Sequence, residues 1–343
     1  MSQDSPLQPT VELSGVTHRF GDVTALDDLT FSVPAQQITV LLGPNGAGKT
    51  TAIRAITGAL SPATGEISVF GTDPRREGDH VRPRCGVVSA KPALYDRLSG
   101  YDNLLYSAQL YGMSTRDVAG PIHAAAARFG IDEALDQQVG GYSTGMKTRL
   151  ALARSVLHDP DLLLFDEPTS GLDPESSQAV LDLIREMTHD GKTVVMCTHL
   201  LAEAEGLADH VVVMEAGTAL CTGSAEELTA RYWPTAVLFL NAESPDQLDR
   251  VAGWHGVVGY ERSPEGARIE LDGFGRVPGL VLDLALDGVR ITRVDPRVPT
   301  LEDLYFAVRR ERAGAPPLGS SARPTNENGS PHRGTREQRT VSA

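Results

Sequence analysis

The chain has 343 residues, more than one ordinary hydrophobic core holds, so its length predicts two domains with additional segments. Its composition, 41% hydrophobic and 22% charged, is typical of a globular protein. The formal net charge of -14 argues against binding to nucleic acid or to an anionic membrane through overall charge. No nucleic-acid partner is therefore expected.

The cysteines and the apolar runs indicate a cellular location. Cys85, Cys197 and Cys221 are far apart and form no CxxC pair, so neither a disulfide framework nor a zinc site is indicated. The start, MSQDSPLQPT, lacks the pattern of a signal peptide, and no run approaches about 18 consecutive apolar residues. We expect a cytoplasmic chain that is not secreted and does not span a membrane by itself.

Strands and helices alternate along residues 10–230. Short apolar runs rich in β-branched residues predict strands in TVELSGVTHRF, FSVPAQQITVLL, CGVVSA, DLLLFDE, TVVMCTH and HVVVMEAG. Helical periodicity marks GKTTAIRAITGAL, GMKTRLALARSVLHD and SSQAVLDLIREMTHDG, and it dominates residues about 95–150, which we predict to be a helical insertion. The alternation predicts an α/β domain with a parallel sheet covered on both faces.

The pattern changes after the sequence CTGSAEELTARYW. Residues 231–312 predict the order β-α-β-β-α-β with a closing helix, which is the order of a small ferredoxin-like α+β module. Residues 313–343 are rich in Pro, Gly, Ser and charge and nearly lack large apolar side chains. Such a segment cannot bury enough surface to offset its ordering entropy, so we predict a disordered tail, and a disordered N-terminus at residues 1–9.

A phosphate-binding loop follows the second predicted strand. The sequence GPNGAGKT, residues 43–50, fits the pattern G-x-x-x-x-G-K-[ST] between a strand and a helix, the context that this motif requires. Glycine lets backbone N–H groups curl around phosphate oxygens, and the helix N-terminus adds partial positive charge. Pattern and context together disfavour the alternative of a glycine turn that merely opens a helix. The predicted nucleotide contacts are Gly43, Asn45, Gly46, Gly48, Lys49 on the β- and γ-phosphates, Thr50 on Mg²⁺, and Thr51 near the α-phosphate.

Two carboxylates and a histidine follow later strands. Asp166 and Glu167 end the apolar run LLLFDE, where Asp166 could hold Mg²⁺ and Glu167 could act as the base for an attacking water. His199 ends the run TVVMCTH, where an imidazole could bind the γ-phosphate. Taken singly, solvent-facing carboxylates and a structural histidine are the ordinary alternatives. Their order after a phosphate loop favours the functional interpretation.

In this order the motifs resemble those of the ATP-binding-cassette (ABC) ATPases, the nucleotide-binding subunits of ABC transporters. Over about residues 10–225, GPNGAGKTT is similar to the Walker A loop, YSTGMKTRLALARSVLHDP to the signature helix, LLLFDEPTSGLDP to the Walker B strand and D-loop, and THL to the switch histidine. The resemblance implies a P-loop NTPase fold of the ABC type with a helical insertion, ATP and Mg²⁺ as ligands, and ATP hydrolysis. Phe20 stands where the family has its adenine-stacking aromatic, although such a residue alone would be assigned to the core.

The resemblance also implies a role for YSTGM, which carries no reactive group. In the family, two subunits pair head to tail, and the signature peptide of one closes over the ATP held by the other. Ser143 and the amides of Thr144 and Gly145 are then expected to bind the γ-phosphate in trans, and Asp173 to couple the two sites. Because signature and catalytic glutamate are both present, a homodimer in the ATP-bound state is the simpler expectation.

Three positions depart from the family pattern. The signature usually has Leu and Gly where this chain has Tyr142 and Thr144. The family usually has a glutamine where this chain has Ala90, and a methyl group can neither ligate a metal nor accept a hydrogen bond. We expect the alanine to affect the rate of hydrolysis or its coupling to a partner.

Three functions agree with these motifs. The first is the ATPase subunit of an exporter, bound to an integral membrane permease on a separate chain at the inner face of the cell membrane. The C-terminal sequence PTLEDLYFAVRRER resembles the daunorubicin-resistance-like subfamily, which implies a drug, antibiotic or lipid-like substrate. The second is the energy subunit of another type of ABC transporter. The third is a non-transport ABC ATPase, against which the single Walker A motif, the single signature and the lack of sustained heptads weigh.

Overall fold

The computed structural model describes residues 8–312, so the segments predicted to be disordered, 1–9 and 313–343, lie outside the described residues apart from positions 8 and 9. The described strands are β1 (Val11–Phe20), β2 (Val23–Val33), β3 (Ile38–Leu42), β4 (Thr64–Val69), β5 (Cys85–Val88), β6 (Leu162–Asp166), β7 (Thr193–Thr198), β8 (His210–Glu215), β9 (Thr218–Ser224), β10 (Ala236–Ala242), β11 (Val257–Ser263), β12 (Gly266–Leu271) and β13 (Ile291–Arg297). The α-helices are α1 (Lys49–Ile56), α2 (Gly78–Val81), α3 (Gly100–Leu110), α4 (Ala119–Arg128), α5 (Thr144–Val156), α6 (Pro174–His189), α7 (Leu201–Ala204), α8 (Ala225–Tyr232), α9 (Val277–Leu286) and α10 (Leu301–Arg312). Within residues 8–312, none of the helices has the length and apolar character needed to cross a membrane.

The central sheet has six strands in the order β5-β6-β7-β3-β8-β9. The first five run parallel to their neighbours, and β9 is an antiparallel edge strand. Strands β3, β6 and β7 are buried along their whole length, as their nearly continuous apolar sequences predict. The predicted parallel layer is confirmed, and it brings the carboxyl ends of β3, β6 and β7 to one edge of the sheet.

A second, antiparallel sheet has the order β2-β1-β4. The prediction of one strand over FSVPAQQITVLL is wrong, because β2 ends at Val33 and β3 begins at Ile38. Pro34 lacks an N–H group for a ladder, and Gln36 has a positive φ of 58°, so the chain turns between the two sheets here. Strands β4 and β9 are not predicted either, because TGEISV and TALCTGS contain glycine and few apolar residues.

Alternate residues of the central strands enter two hydrophobic clusters on opposite faces of the sheet. On β6, Leu162 and Leu164 join a cluster with α1 and the second sheet. Leu163 and Phe165 join a larger cluster with α3, α4, α5 and α6, the helices of and beside the predicted insertion. Both faces are therefore covered, and the backbone is held firmly up to Asp166 at the end of β6.

The C-terminal part forms a four-stranded antiparallel sheet in the order β11-β12-β10-β13, with a hydrophobic cluster of its own. The predicted helix SPDQLDRVAGW is wrong in type, because Pro245–Gly253 is a 3-10 helix. Its buried side chains, Leu248 and Val251, are three residues apart, and residues at this spacing share one face of a 3-10 helix.

The closing helix α10 packs against the first part of the chain. Leu301, Leu304 and Val308 belong to the same cluster as the helices on the central sheet. The N–H of Leu301 donates to Oε2 of Glu205 at 2.7 Å, and Arg309 forms an ion pair of 3.0 Å with Glu215. These contacts attach α10 to the segment that follows β7 and to the end of β8.

Candidate functional site

The loop between β3 and α1 requires glycine at two positions. A Cβ atom on Gly43 would lie 2.3 Å from the carbonyl oxygen of Met214, and one on Gly48 would lie 2.7 Å from that of Ala25. Gly48 also has a φ of 102°, which other residues rarely adopt. The loop backbone therefore lies close against β8 and β2 at the N-terminus of α1, where partial positive charge favours an anion.

Lys49, the first residue of α1, is only 6% exposed. Its ammonium donates to the carbonyl oxygens of Gly43 at 2.6 Å and Pro44 at 3.2 Å. Both acceptors are neutral, and within residues 8–312 this ammonium forms no ion pair, although its charge also acts on the nearby carboxyl of Asp166. A buried cation without a directly bonded anion is costly, so the loop is suited to an anion that binds the ammonium.

Thr50 and Asp166 place a hydroxyl and a carboxylate in contact. Oγ1 of Thr50 donates to Oδ2 of Asp166 at 2.6 Å. Burial raises the pKa of Asp166, and the hydrogen bond from Thr50 opposes part of this rise. Such an oxygen-only pair fits Mg²⁺, which takes one or two protein oxygens together with phosphate oxygens and water. The described residues contain no group of three or more His, Cys, Asp or Glu side chains that could form a protein-only metal site.

Glu167 and His199 form a second contact at the same edge of the sheet. Nδ1 of His199 lies 2.9 Å from Oε1 of Glu167. The N–H of Glu167 donates to the carbonyl of Cys197 at 2.9 Å, and Glu167 has a φ of 55°, which is unusual outside glycine. Strained backbone at a carboxylate that faces a histidine is typical of a functional position.

Lys49, Thr50, Asp166 and Glu167 border a cleft of about 380 Å³, whereas His199 contacts Glu167 but does not itself line this cleft. Its wall combines residues from four parts of the chain: Phe20, Val23, Thr24 and Ala25, residues 45–51, Ala90, and Asp166 with Glu167. Phe20 is 47% exposed and packs edge-on against His18, so its ring presents a free surface, as a base-stacking residue requires. The predicted residues Asn45, Gly46 and Thr51 also line the cleft, whereas Gly43 lies behind the loop.

The signature residues form a separate surface patch. Ser143, Thr144 and Gly145 do not line the cleft, and neither does Asp173. Ser143 begins α5, where its Oγ accepts from the N–H of Met146 at 3.2 Å. Asp173 begins α6 in the same way, and this hydrogen bonding holds the pKa of its carboxyl below the ordinary range.

The departures from the family pattern have clear positions. Ala90 lines the cleft beside the carboxylates. Ser89, the neighbouring hydroxyl, instead lines an adjacent cavity of about 330 Å³. Tyr142 is 6% exposed, and its hydroxyl donates to the carbonyl of Ala134 at 2.5 Å, so this residue anchors the signature peptide to the helical insertion.

The sequence motifs miss the part of the cleft wall that β2 supplies. Val23, Thr24 and Ala25 carry no phosphate-binding signal, and nothing in their local sequence indicates that they face the cleft. The alternation of apolar and polar residues in LTFSV, residues 29–33, is the local sequence pattern that could reveal the strand.

Comparisons with known proteins place this arrangement in a family. The family model described as ABC transporter matches residues 26–170. The chain is 34% identical over 305 residues to Nod factor export ATP-binding protein I of Rhizobium meliloti, a match that covers 86% of this chain and 87% of that protein. It is 35% identical over 223 residues to ABC transporter ATP-binding protein NatA of Bacillus subtilis, covering 64% and 91%. The solved structure of cbiO1 from Clostridium perfringens, part of the ABC transporter complex cbiONQ, is similar with a TM-score of 0.59 and 27% identity, covering 65% of this chain and 91% of that chain.

These relatives are ATP-binding proteins of ABC transporters, and they do not single out the daunorubicin-resistance-like subfamily that the C-terminal sequence resembles. The match to the Rhizobium protein extends through both the α/β part and the C-terminal part of the chain. The chain therefore belongs to the ATP-binding subunits of the ABC transporter family, which have the P-loop NTPase fold and hydrolyse ATP.

Proposed function

We propose that this chain powers an ABC membrane exporter by hydrolysing ATP in the cleft between the phosphate loop and the end of β6. The observation that carries the proposal is that one cleft combines a buried ammonium that forms no ion pair, a hydroxyl–carboxylate pair and a glutamate with strained backbone. Phosphoryl transfer needs a positive charge beside the phosphates, a position for a metal ion and a base for the attacking water, and each of the three features meets one of these needs.

In this proposal Lys49 and the loop amides bind the phosphates of ATP, and Phe20 stacks on the adenine. Thr50 and Asp166 hold Mg²⁺, which neutralises charge on the phosphate oxygens when it is bound. Glu167 orients a water and accepts its proton as the water oxygen bonds to the γ-phosphorus. The bond from that phosphorus to the bridging oxygen breaks, and ADP and phosphate leave.

We further propose that a second copy of the chain completes the site. Ser143 and Thr144 are exposed, Gly145 is partly exposed, and all three lie outside the cleft of their own chain, which is what residues that act on a neighbour's γ-phosphate require. Asp173, at the start of α6, is exposed near this patch and is proposed to couple the two sites. The separation of this patch from the cleft of the same chain supports a head-to-tail pair of two chains.

The export role rests on relatives. The Rhizobium meliloti protein is named for export of Nod factor, and the match covers most of both chains. We propose a drug-like or lipid-like substrate, a permease on a separate chain, and a location at the inner face of the cell membrane. Residues 10–230 are proposed as the ATPase domain and 231–312 as an accessory ferredoxin-like module, supported by the antiparallel strand order β11-β12-β10-β13.

Purification of a tagged Glu167→Gln variant tests the proposal. This variant should bind ATP but not hydrolyse it, and should therefore accumulate as a dimer with ATP and Mg²⁺. From detergent-extracted membranes it is expected to bring a stoichiometric polytopic membrane protein. The matched control is the same variant with Lys49→Ala, which should not form the ATP-dependent dimer. Recovery of a dimer without a membrane partner, or of ribosomal or DNA-repair proteins, would reject the transport role.

A further inference from the structure

One carboxylate accepts hydrogen bonds from both loops that carry the predicted catalytic residues, Glu167 and His199. Oε2 of Glu203, on α7, accepts from the Thr169 hydroxyl at 2.6 Å and, over a longer distance of 3.4 Å, from the Thr198 hydroxyl. Thr169 is 4% exposed and Thr198 is 2% exposed. Thr169 follows Glu167 by two positions, and Thr198 directly precedes His199.

Both threonines are hydrogen-bonded within these loops. Oγ1 of Thr198 also accepts from the N–H of Leu200 at 3.0 Å, so one threonine supports both sides of the histidine. The backbone carbonyl of Thr169 accepts from the N–H of Leu172 at 3.1 Å, in the turn that leads to α6. A displacement of either threonine is therefore transmitted to the loop that holds Glu167 or His199.

We propose that Glu203 is a positioning residue that sets the distance between Glu167 and His199. Their 2.9 Å contact spans the two loops, so it depends on the relative position of those loops. One carboxylate oxygen can accept from both threonines, and no other acceptor is recorded for the Thr169 hydroxyl within residues 8–312. Without the carboxylate, buried hydroxyls lose an acceptor and the loops lose their common anchor. The inference rests on the proposed function, because it concerns ATP hydrolysis at this pair.

Kinetics of Glu203 variants provide the first test. Glu203→Ala is expected to lower kcat by about tenfold to a hundredfold, because small displacements of reacting groups are costly. The KM for ATP should change by less than about twofold, because Glu203 does not line the cleft. Glu203→Gln keeps one carbonyl acceptor and should recover part of the loss. A merely structural role would predict no such split between kcat and KM.

The chain offers a matched control and a second route to the same contact. Glu205→Gln removes a carboxylate from the same short segment, but this carboxylate binds the N–H of Leu301 rather than the threonines, so kcat should stay within about twofold. If Glu203→Ala does not fold, Thr169→Val removes one donor at nearly constant volume and should lower kcat, whereas Thr169→Ser should not.

A double variant decides whether Glu203 acts through the histidine. In the His199→Ala background, Glu203→Ala should lower kcat by less than about twofold more, because residues that act as a unit are not additive. Two results would overturn the inference while ATP hydrolysis by the unsubstituted chain stands. One is that Glu203→Ala lowers kcat by its full factor in the His199→Ala background as well. The other is that kcat is unchanged in both Glu203→Ala and Thr169→Val. Absence of ATP hydrolysis in the folded, unsubstituted chain would instead reject the proposed function, and this inference with it.

Discussion

Replacing Tyr142 with phenylalanine should lower the free energy of unfolding by about 1 kcal/mol, the typical net value of one hydrogen bond. The ring is buried and would keep its packing, so the hydroxyl is the group that is lost. The carbonyl of Ala134, its acceptor, also accepts from the N–H of Gln137 at 2.9 Å. Because that carbonyl retains a partner, the larger cost of an orphaned buried acceptor does not apply.

Gly100 supplies a second perturbation at the same contact. A Cβ atom on Gly100 would lie 2.4 Å from the Tyr142 hydroxyl and 3.3 Å from the Cα and carbonyl oxygen of Leu135. Gly100→Ala alone should therefore cost about 1–3 kcal/mol through overpacking. In combination with Tyr142→Phe the closest clash disappears, so the double variant should be more stable than the sum of the single effects by at least about 1 kcal/mol.

Native-state hydrogen exchange is the appropriate assay, because separate hydrophobic clusters in this chain allow local parts to unfold independently. Amides of α3 and of residues 132–142 should lose protection in each single variant, while those of the C-terminal sheet should not change. Urea unfolding followed by circular dichroism supplies the global value. Effects that add within about 0.3 kcal/mol would refute the close contact between the phenol and the glycine.

Three further predictions concern residues that line the cleft. Ala90→Gln, beside the carboxylates, should raise partner-stimulated ATP hydrolysis, and equal rates over a full titration of the permease would contradict the role given to this position. Asp166→Asn should abolish hydrolysis yet stabilise the nucleotide-free protein at neutral pH. Burial raises the pKa of Asp166, so the protonated carboxyl contributes to the free energy of unfolding at acid pH, and this contribution is lost as the pH rises above the ordinary range for aspartate. The neutral amide of asparagine does not ionise, so its contribution is the same at both pH values. A melting temperature that is the same for both proteins from pH 4 to pH 8 would oppose this reasoning. Phe20→Ala should raise the Kd for ATP by about fivefold to a hundredfold, the range for loss of base stacking, and should leave Mg²⁺-dependent binding of inorganic triphosphate unchanged.

Several parts of the site could be predicted because their signals are local. The phosphate loop is contiguous, and Asp166, Glu167 and His199 each end an apolar strand. In a parallel sheet the carboxyl ends of adjacent strands meet at one edge, so the order of motifs along the chain is enough to bring these side chains together. The contacts of Thr50 with Asp166 and of Glu167 with His199 have this origin.

Other parts were predicted wrongly or had no local signal. The strand predicted through FSVPAQQITVLL divides between two sheets at Pro34 and Gln36, and the predicted helix at Pro245–Gly253 is a 3-10 helix. Glu203 reaches Thr169 across 34 positions, and the wall of the cleft at residues 23–25 comes from a strand whose sheet pairing is distant from the motifs.

The sequence by itself thus predicted that the phosphate loop, Asp166, Glu167 and His199 lie together, because motif spacing and strand ends are visible in contiguous residues. Only the tertiary structure decided that Glu203 accepts from the threonines beside Glu167 and His199, that the Tyr142 hydroxyl donates to the Ala134 carbonyl, and that Ala90 lines the cleft while Ser89 lines a neighbouring cavity. The physical reason is that such contacts depend on strand order and helix packing, which are fixed by the burial of side chains that are far apart in the chain.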